Sequence, residues 1–199
     1  MRNAMSEKRI KPFSYEASKR FYDHVLGIDV VKVLPGEFYV TQEKIALATV
    51  LGSCVTACLW DPLTKIGGMN HFMLVDAEAG SHKQSDSMRY GVFSMNTLIE
   101  RLVSAGALKH CLQAKVFGGA RVLSGESNFR VGHENNDFVL AYLQEEKIPV
   151  IAKDLGGTTA RKVIFFPENG KVMLKRMLVN TEPEVLASEQ HFRHMIRGD

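Results

Sequence analysis

The stretch Leu51-Gly52-Ser53-Cys54-Val55-Thr56-Ala57-Cys58-Leu59-Trp60-Asp61-Pro62-Leu63-Thr64-Lys65-Ile66-Gly67-Gly68-Met69-Asn70-His71-Phe72-Met73-Leu74 decides the fold. It reads as strand, turn, strand, with Asp61-Pro62 as the turn initiator between two apolar, β-rich runs. A four-residue loop, Asp61 to Thr64, sets Trp60 opposite Lys65, and the same register carries Cys54 opposite His71. Facing residues of an antiparallel pair share one side of the sheet, with Cβ atoms about 4.5–5.5 Å apart. A thiol and an imidazole can meet at that distance. A slip of one residue would put them on opposite sides. The complementary side carries Val55, Ala57, Leu59, Phe72 and Leu74, a continuous apolar surface for a core.

Working outward, further β-rich runs fall at Phe38–Val40, Ala46–Leu51, Leu112–Phe117, Pro149–Lys153, Lys162–Phe166 and Lys171–Leu178. The last two flank Pro167-Glu168-Asn169-Gly170 and read as a hairpin. Ser87 to Ala105 carries Met88, Val92, Met95, Leu98, Ile99 and Leu102 at helical spacing and stops at Gly106. Glu134 to Glu146 carries Phe138, Val139, Tyr142 and Leu143 on one helical face. Strands in hairpins with two main helices predict an α/β fold of mixed, mostly antiparallel sheets, not a doubly wound nucleotide fold. Residues 1–34 read as an extension with one helix from about Tyr15 to Leu26, where Ala17, Phe21, Tyr22 and Val25 would share a face. Residues 35–179 form the main domain, and the polar tail, 180–199, reads as a peripheral helix.

The composition suits one globular domain: 199 residues, 45% hydrophobic, 24% charged and 9% aromatic. Lys and Arg number 25 against 22 Asp and Glu, a net charge of +3 with the basic residues scattered. Nucleic acid and anionic membranes are thus not the first partners to expect. No apolar run approaches the roughly 18 residues of a bilayer span. MRNAMSEKRIKPFSYE lacks the apolar core of a secretory signal, so a cytoplasmic location is expected. Three cysteines imply no disulfide framework. Without CxxC, HExxH or HxH spacing, neither a metal nor a cofactor is expected.

The chemistry therefore rests on one thiol. A Cys beside a His can form a thiolate–imidazolium pair, a nucleophile toward acyl carbons whose His can then protonate a leaving amine. Gly52 and Ser53 make a tight entrance where backbone approaches substrate. Backbone N–H groups around Ser53–Cys54 or in the Gly118-Gly119 loop are candidate oxyanion donors, with Gly52 and Asn70 among the candidate substrate or oxyanion contacts. The competing reading makes Cys54 a small buried hydrophobe, as most cysteines are and as Cys58 and Cys111 are taken to be.

At this point a family resemblance is visible. LGSCVTACLWDPLTKIGGMNHFML closely resembles the signature of CheD, the chemoreceptor glutamine deamidases of bacterial chemotaxis. RYGVFSMNTLIERLVSAGA, AKVFGGA and DLGGTTARKVIFFPENGKVMLKR resemble the family's helix, glycine loop and C-terminal hairpin, and the likeness spans roughly Val33 to Leu178. It implies an α/β/β sandwich with Cys54 as nucleophile and His71 as its histidine. It also implies a Thr that orients the His, six positions before the nucleophile. Ala48 stands there and Thr49 follows: either the strand entrance differs locally and Thr49 takes the role, or another residue fills it. The implied activity is hydrolysis of receptor glutamine side chains to glutamate on cytoplasmic helices of methyl-accepting chemotaxis proteins, with a CheC-type phosphatase as a possible partner. A non-catalytic adaptor binding receptor or phosphatase, and a small-molecule cysteine amidase, are the alternatives.

Overall fold

A computed structural model describes residues 14–74, 82–122, 126–177, 187 and 189–192. In chain order the strands are β1 (Tyr15–Glu16), β2 (Lys19–Asp23), β3 (Ile28–Lys32), β4 (Glu37–Thr41), β5 (Ala46–Leu51), β6 (Val55–Trp60) and β7 (Gly67–Asn70). Helix α1 (His82–Ser104) precedes β8 (Gln113–Gly118), and α2 (Glu126–Glu145) precedes β9 (Val150–Leu155), β10 (Arg161–Phe166) and β11 (Lys171–Arg176). One sheet has the order β1-β4-β7-β6-β8-β9, the other β11-β10-β5-β3-β2. Pairing is antiparallel except at β1–β4, β3–β5 and β8–β9, the last joined through α2. The expected mixed sandwich is the one observed.

The six-stranded sheet lies in the middle. On one side it meets the helices: Asn70 Nδ2 donates to Ser94 Oγ, the Phe72 and Phe138 rings meet edge to face, and Gly68 lies against Leu98. On its other side Trp60 packs against Gly170 and Gly67 against Pro167, both in the β10–β11 turn. A sheet covered on both faces has no polar side to alternate with. All residues of β7 and all but Trp60 of β6 are accordingly buried.

The chain crosses between the two sheets at one place. β5 ends at Leu51 in the five-stranded sheet and β6 begins at Val55 in the six-stranded one. Gly52, Ser53 and Cys54 make the crossing, all of them buried.

Two expectations are corrected. The stretch 15–26 is not a helix but strands β1 and β2 and a turn. Asp23 Oδ1 accepts from the N–H groups of Val25 and Leu26 at 2.9 and 3.0 Å, and Gly27 closes the turn at φ 68°. The aromatic Phe21 and Tyr22 suit a strand, and of the presumed apolar face only Ala17 is buried. The second correction concerns register. Val55 pairs with Phe72 and Cys58 with Met69, two residues away from the expected alignment. Trp60 faces Gly67 because the loop runs from Asp61 to Ile66, closed by Asp61 N–H to Ile66 O at 2.9 Å. Lys65 takes a left-handed φ of 61° within it.

Asp61 builds that loop. Its carboxylate accepts from Leu63 N–H at 2.9 Å, Thr64 Oγ1 at 2.8 Å and Leu108 N–H at 2.8 Å. Burial raises its pKa, but these hydrogen bonds outweigh it and hold the carboxyl below its ordinary value. Asp61→Ala orphans three donors and should cost roughly 2–4 kcal/mol of stability, read from urea unfolding.

Candidate active site

Because the slip is two residues and not one, Cys54 and His71 stay on the same side of the sheet. His71 lies across from Thr56 and Cys54 sits diagonally beyond it. Both are buried between the two sheets. Sγ of Cys54, an imidazole nitrogen of His71 and a carboxylate oxygen of Glu189 all lie within 4.8 Å of one another.

The backbone of His71 is fixed by the start of β4. Its N–H donates to Glu37 O at 2.9 Å and its carbonyl accepts from Gly36 N–H at 2.7 Å. The ring is fixed from the other sheet. Thr49 Oγ1 donates to Val33 O at 2.7 Å, which leaves its lone pairs toward His71 Nδ1, 2.8 Å away. Val33 O is itself 3.4 Å from Nδ1. With acceptors on that side, Nδ1 carries the proton and Nε2 presents a lone pair. Nε2 is buried and has no hydrogen-bond partner among the described residues. Alternation along β5 explains why Thr49 and not Ala48 does this. Leu47, Thr49 and Leu51 point between the sheets, whereas Ala46 and Ala48 pack with Val30 on the far side.

The crossing turn has a one-sided hydrogen-bond pattern. Its three carbonyls are tied to the β8–α2 side: Gly52 O accepts from Ala120 N–H at 2.8 Å, Ser53 O from Asn135 Nδ2 at 2.9 Å, and Cys54 O from Gly119 N–H at 2.8 Å. Its three amides converge on a single carboxylate. Glu189 Oε1 accepts from Gly52 N–H at 2.9 Å and Cys54 N–H at 3.2 Å, and Oε2 accepts from Ser53 N–H at 3.2 Å and Ser53 Oγ at 2.7 Å. Successive amides aimed at one point make an anion-binding nest.

Not every residue expected at the site is there. Asn70 points into the helix layer, donating to Ser94 Oγ and accepting from Ala57 N–H at 2.9 Å, because adjacent strand residues face opposite ways. Gly118 and Gly119 shape the turn rather than the nest. Gly119 N–H is bound to Cys54 O, and a Cβ on Gly118 at its φ of 121° would overlap that same oxygen. Gly52 and Ser53 lie in the crossing turn, where their amides bind Glu189. Sequence reasoning missed Glu189, Asn135 and Tyr90. Tyr90 packs on Phe192, with ring centroids 5.9 Å apart. The tail expected to be peripheral thus buries both Glu189 and Phe192. A glutamate in a polar tail and an asparagine in HENNDF give no local signal.

Cys54, His71 and Glu189 are the group with metal-ligand spacing among the described residues. Four donors already bind the Glu189 carboxylate and Thr49 engages Nδ1, which leaves Sγ and Nε2, a poor match to a closed four-ligand site.

A family profile for CheD, described as CheD chemotactic sensory transduction, matches residues 73–176. A Bordetella avium protein named "Probable chemoreceptor glutamine deamidase CheD" is 52% identical over 162 residues, covering 81% of this chain and 71% of its own. The chain belongs to the CheD family. Within it, "Probable chemoreceptor glutamine deamidase CheD 1" of Shewanella oneidensis is 44% identical over 193 residues, 95% of this chain and 94% of that one. A Burkholderia mallei relative, also named "Probable chemoreceptor glutamine deamidase CheD", is 48% identical over 174 residues, 87% and 74% of the two chains.

Burial pushes the His71 imidazole below its ordinary value of 6.5, while the Glu189 charge and the hydrogen bond with Val33 O pull it back up in part. In this CheD-family chain the unfolded state therefore binds more protons than the folded one as pH falls below about 6.5. Stability should drop in that window by up to about 1.4 kcal/mol per pH unit from this one residue. His71→Gln should have a measurably shallower acid slope in urea midpoints taken between pH 7 and pH 5.

Proposed function

We propose that the protein hydrolyses the side-chain amide of glutamines on chemoreceptor helices to glutamate, with Cys54 as nucleophile and His71 as its base and acid. The observation that carries this reading is the convergence of one thiol, one imidazole of set tautomer and three backbone amides on a space the size of a carboxyl group. The names of the relatives, chemoreceptor glutamine deamidases, supply the substrate.

The Nε2 lone pair takes the Cys54 proton as Sγ attacks the amide carbon. The carbonyl oxygen becomes an oxyanion, and the amides of Gly52, Ser53 and Cys54 stabilise it where charge develops. The C–N bond breaks, and the proton held on Nε2 leaves with ammonia. A water, deprotonated by the same nitrogen, attacks the thioester. The second oxyanion collapses in the same nest, releasing glutamate and the thiol. Thr49 acts through His71 by keeping Nδ1 protonated and the ring aimed. Gln and Glu differ by one group at the end of the side chain, so a nest that holds a carboxylate holds the product of this reaction. None of the described helices is long and apolar enough to cross a membrane.

Ammonia release from a purified receptor cytoplasmic fragment tests the assignment. Cys54→Ala should abolish it and leave thermal unfolding intact; undiminished release would overturn the nucleophile. Thr49→Val should lower kcat, by at most the roughly 10²–10⁴-fold that a positioned acid–base group contributes, and Thr49→Ser should recover most of it. Cys58 serves as an internal control in alkylation experiments. It is fully buried, burial pushes its thiol up, and it should resist iodoacetamide in the folded protein.

A further inference from the structure

The nest beside Cys54 is filled by the protein's own Glu189. Residues 187 and 189–192 are helical, and from that short helix Glu189 reaches inward with 2% of its surface exposed. Four donors hold its carboxylate: three backbone amides and the Ser53 hydroxyl. A carboxylate oxygen lies within 4.8 Å of both the Cys54 sulfur and an imidazole nitrogen of His71. Three residues on, Phe192 is buried against Tyr90 and the backbone of Gly36, the residue whose N–H binds His71 O. Glu189 and Phe192, three apart, lie on the same face of the helix. Gly52 makes room for this arrangement: a Cβ there would come within 3.0 Å of Glu189 Oε1 and 2.8 Å of Val122 Cγ2.

Resting on the deamidase reading above, we propose that this tail helix is a product mimic seated in the substrate-helix groove. Glu189 stands where a receptor glutamine, once converted, leaves its own glutamate. Phe192, three residues on, anchors the same helix against Tyr90 and Gly36. The tail and the receptor helix compete for one groove, and the protein is inhibited by its own tail until a receptor displaces it. Glu189 makes no bond that a receptor glutamate could not make. The nest stabilises an oxyanion in either intermediate and a carboxylate at the end, and it is the carboxylate state that is seen.

Tethering gives the tail an advantage. A segment joined to the same chain acts at an effective concentration in the millimolar range. The apparent affinity for a receptor helix is reduced by the fraction of molecules whose groove is open. Removing Glu189 should therefore raise kcat/KM for receptor by on the order of tenfold, through KM, with little change in kcat. The same change should speed alkylation of Cys54, whose sulfur is otherwise covered.

The test compares the full chain with Glu189→Ala, Phe192→Ala and Glu189→Gln on a receptor cytoplasmic fragment. The first two should gain activity through a lower KM. A folded Glu189→Ala protein with unchanged or lower kcat/KM would overturn the proposal and make Glu189 a support of the turn. Glu189→Gln supplies a second reading that needs no receptor and keeps the shape of the side chain should Glu189→Ala fail to fold. Here a glutamine amide sits in the nest beside Cys54. Sγ bonds to its Cδ, the C–N bond breaks, ammonia leaves with the proton from Nε2, and water cleaves the thioester. Residue 189 is then glutamate again, a conversion that mass spectrometry of the tail peptide detects. It should occur in Glu189→Gln and not in the Glu189→Gln, Cys54→Ala double variant. A glutamine that persists at position 189 in a protein still active on receptor would overturn the product-mimic assignment. Receptor deamidation that survives Cys54→Ala would instead overturn the deamidase reading. Cys54-dependent deamidation indifferent to Glu189 overturns only the role of the tail.

Discussion

Everything at the site depends on how three consecutive peptide groups are hydrogen-bonded. Gly52, Ser53 and Cys54 carry the chain from one sheet to the other, and a crossing cannot use either sheet's ladder to satisfy its backbone. Buried peptide groups must still find partners. Here the partners are divided by direction: the carbonyls go to Ala120, Asn135 and Gly119, and the amides all face the other way. The division creates a fixed positive concavity next to the thiol without any charged side chain. Ser53 adds a hydroxyl to it, and Gly118 leaves the space that lets Cys54 O be gripped so closely.

The rest of the fold keeps the imidazole in step with that turn. His71 is held at its backbone by β4 in one sheet and at its ring by Thr49 in the other, so its position reports the spacing of the two layers. The Asp61 loop fixes how far β7 is slid along β6, and therefore how far the ring stands from the sulfur. Thr49 adds chemistry to position: since its own proton is committed to Val33 O, it can only accept from Nδ1, which dictates the tautomer. A buried, neutral imidazole with a ring nitrogen within 4.8 Å of a thiol is suited to take a proton. It is equally suited to return that proton to an amine.

Much of this was legible in the sequence, and the failures are physical. Strand runs and both helices were readable because apolar periodicity records burial, and the β10–β11 hairpin because Gly170 marks a turn that needs a positive φ, 69° here. The loop expected from Asp61 to Thr64 is two residues shorter than the one observed, yet the Cys54–His71 partnership holds. It survived because side-chain direction in a strand has a period of two, so an even slip preserves the face. The stretch 15–26 misled because Ala17, Phe21, Tyr22 and Val25 happen to fall at helical spacing, although three of the four are exposed in the fold. Asn70 neighbours His71 in the chain, and adjacency in a strand means opposite faces. Glu189 left no trace at all: what makes it a site residue is a contact 137 positions away with Gly52, and no local pattern encodes that.

The central claim, that Cys54, the Nε2 nitrogen of His71 and the amides of residues 52–54 act on one carboxamide, can be met head-on by trapping. A receptor-helix peptide in which a diazoketone analogue replaces the target glutamine should alkylate the full chain, and a crystal structure of the adduct would show where. The expected adduct has a bond from the Cys54 sulfur to the analogue, its ketone oxygen in the nest of the three amides, and Glu189 withdrawn from it. A bond at Cys58 or Cys111, or an oxygen turned toward Gly118 and Gly119 with the nest still holding Glu189, would contradict it.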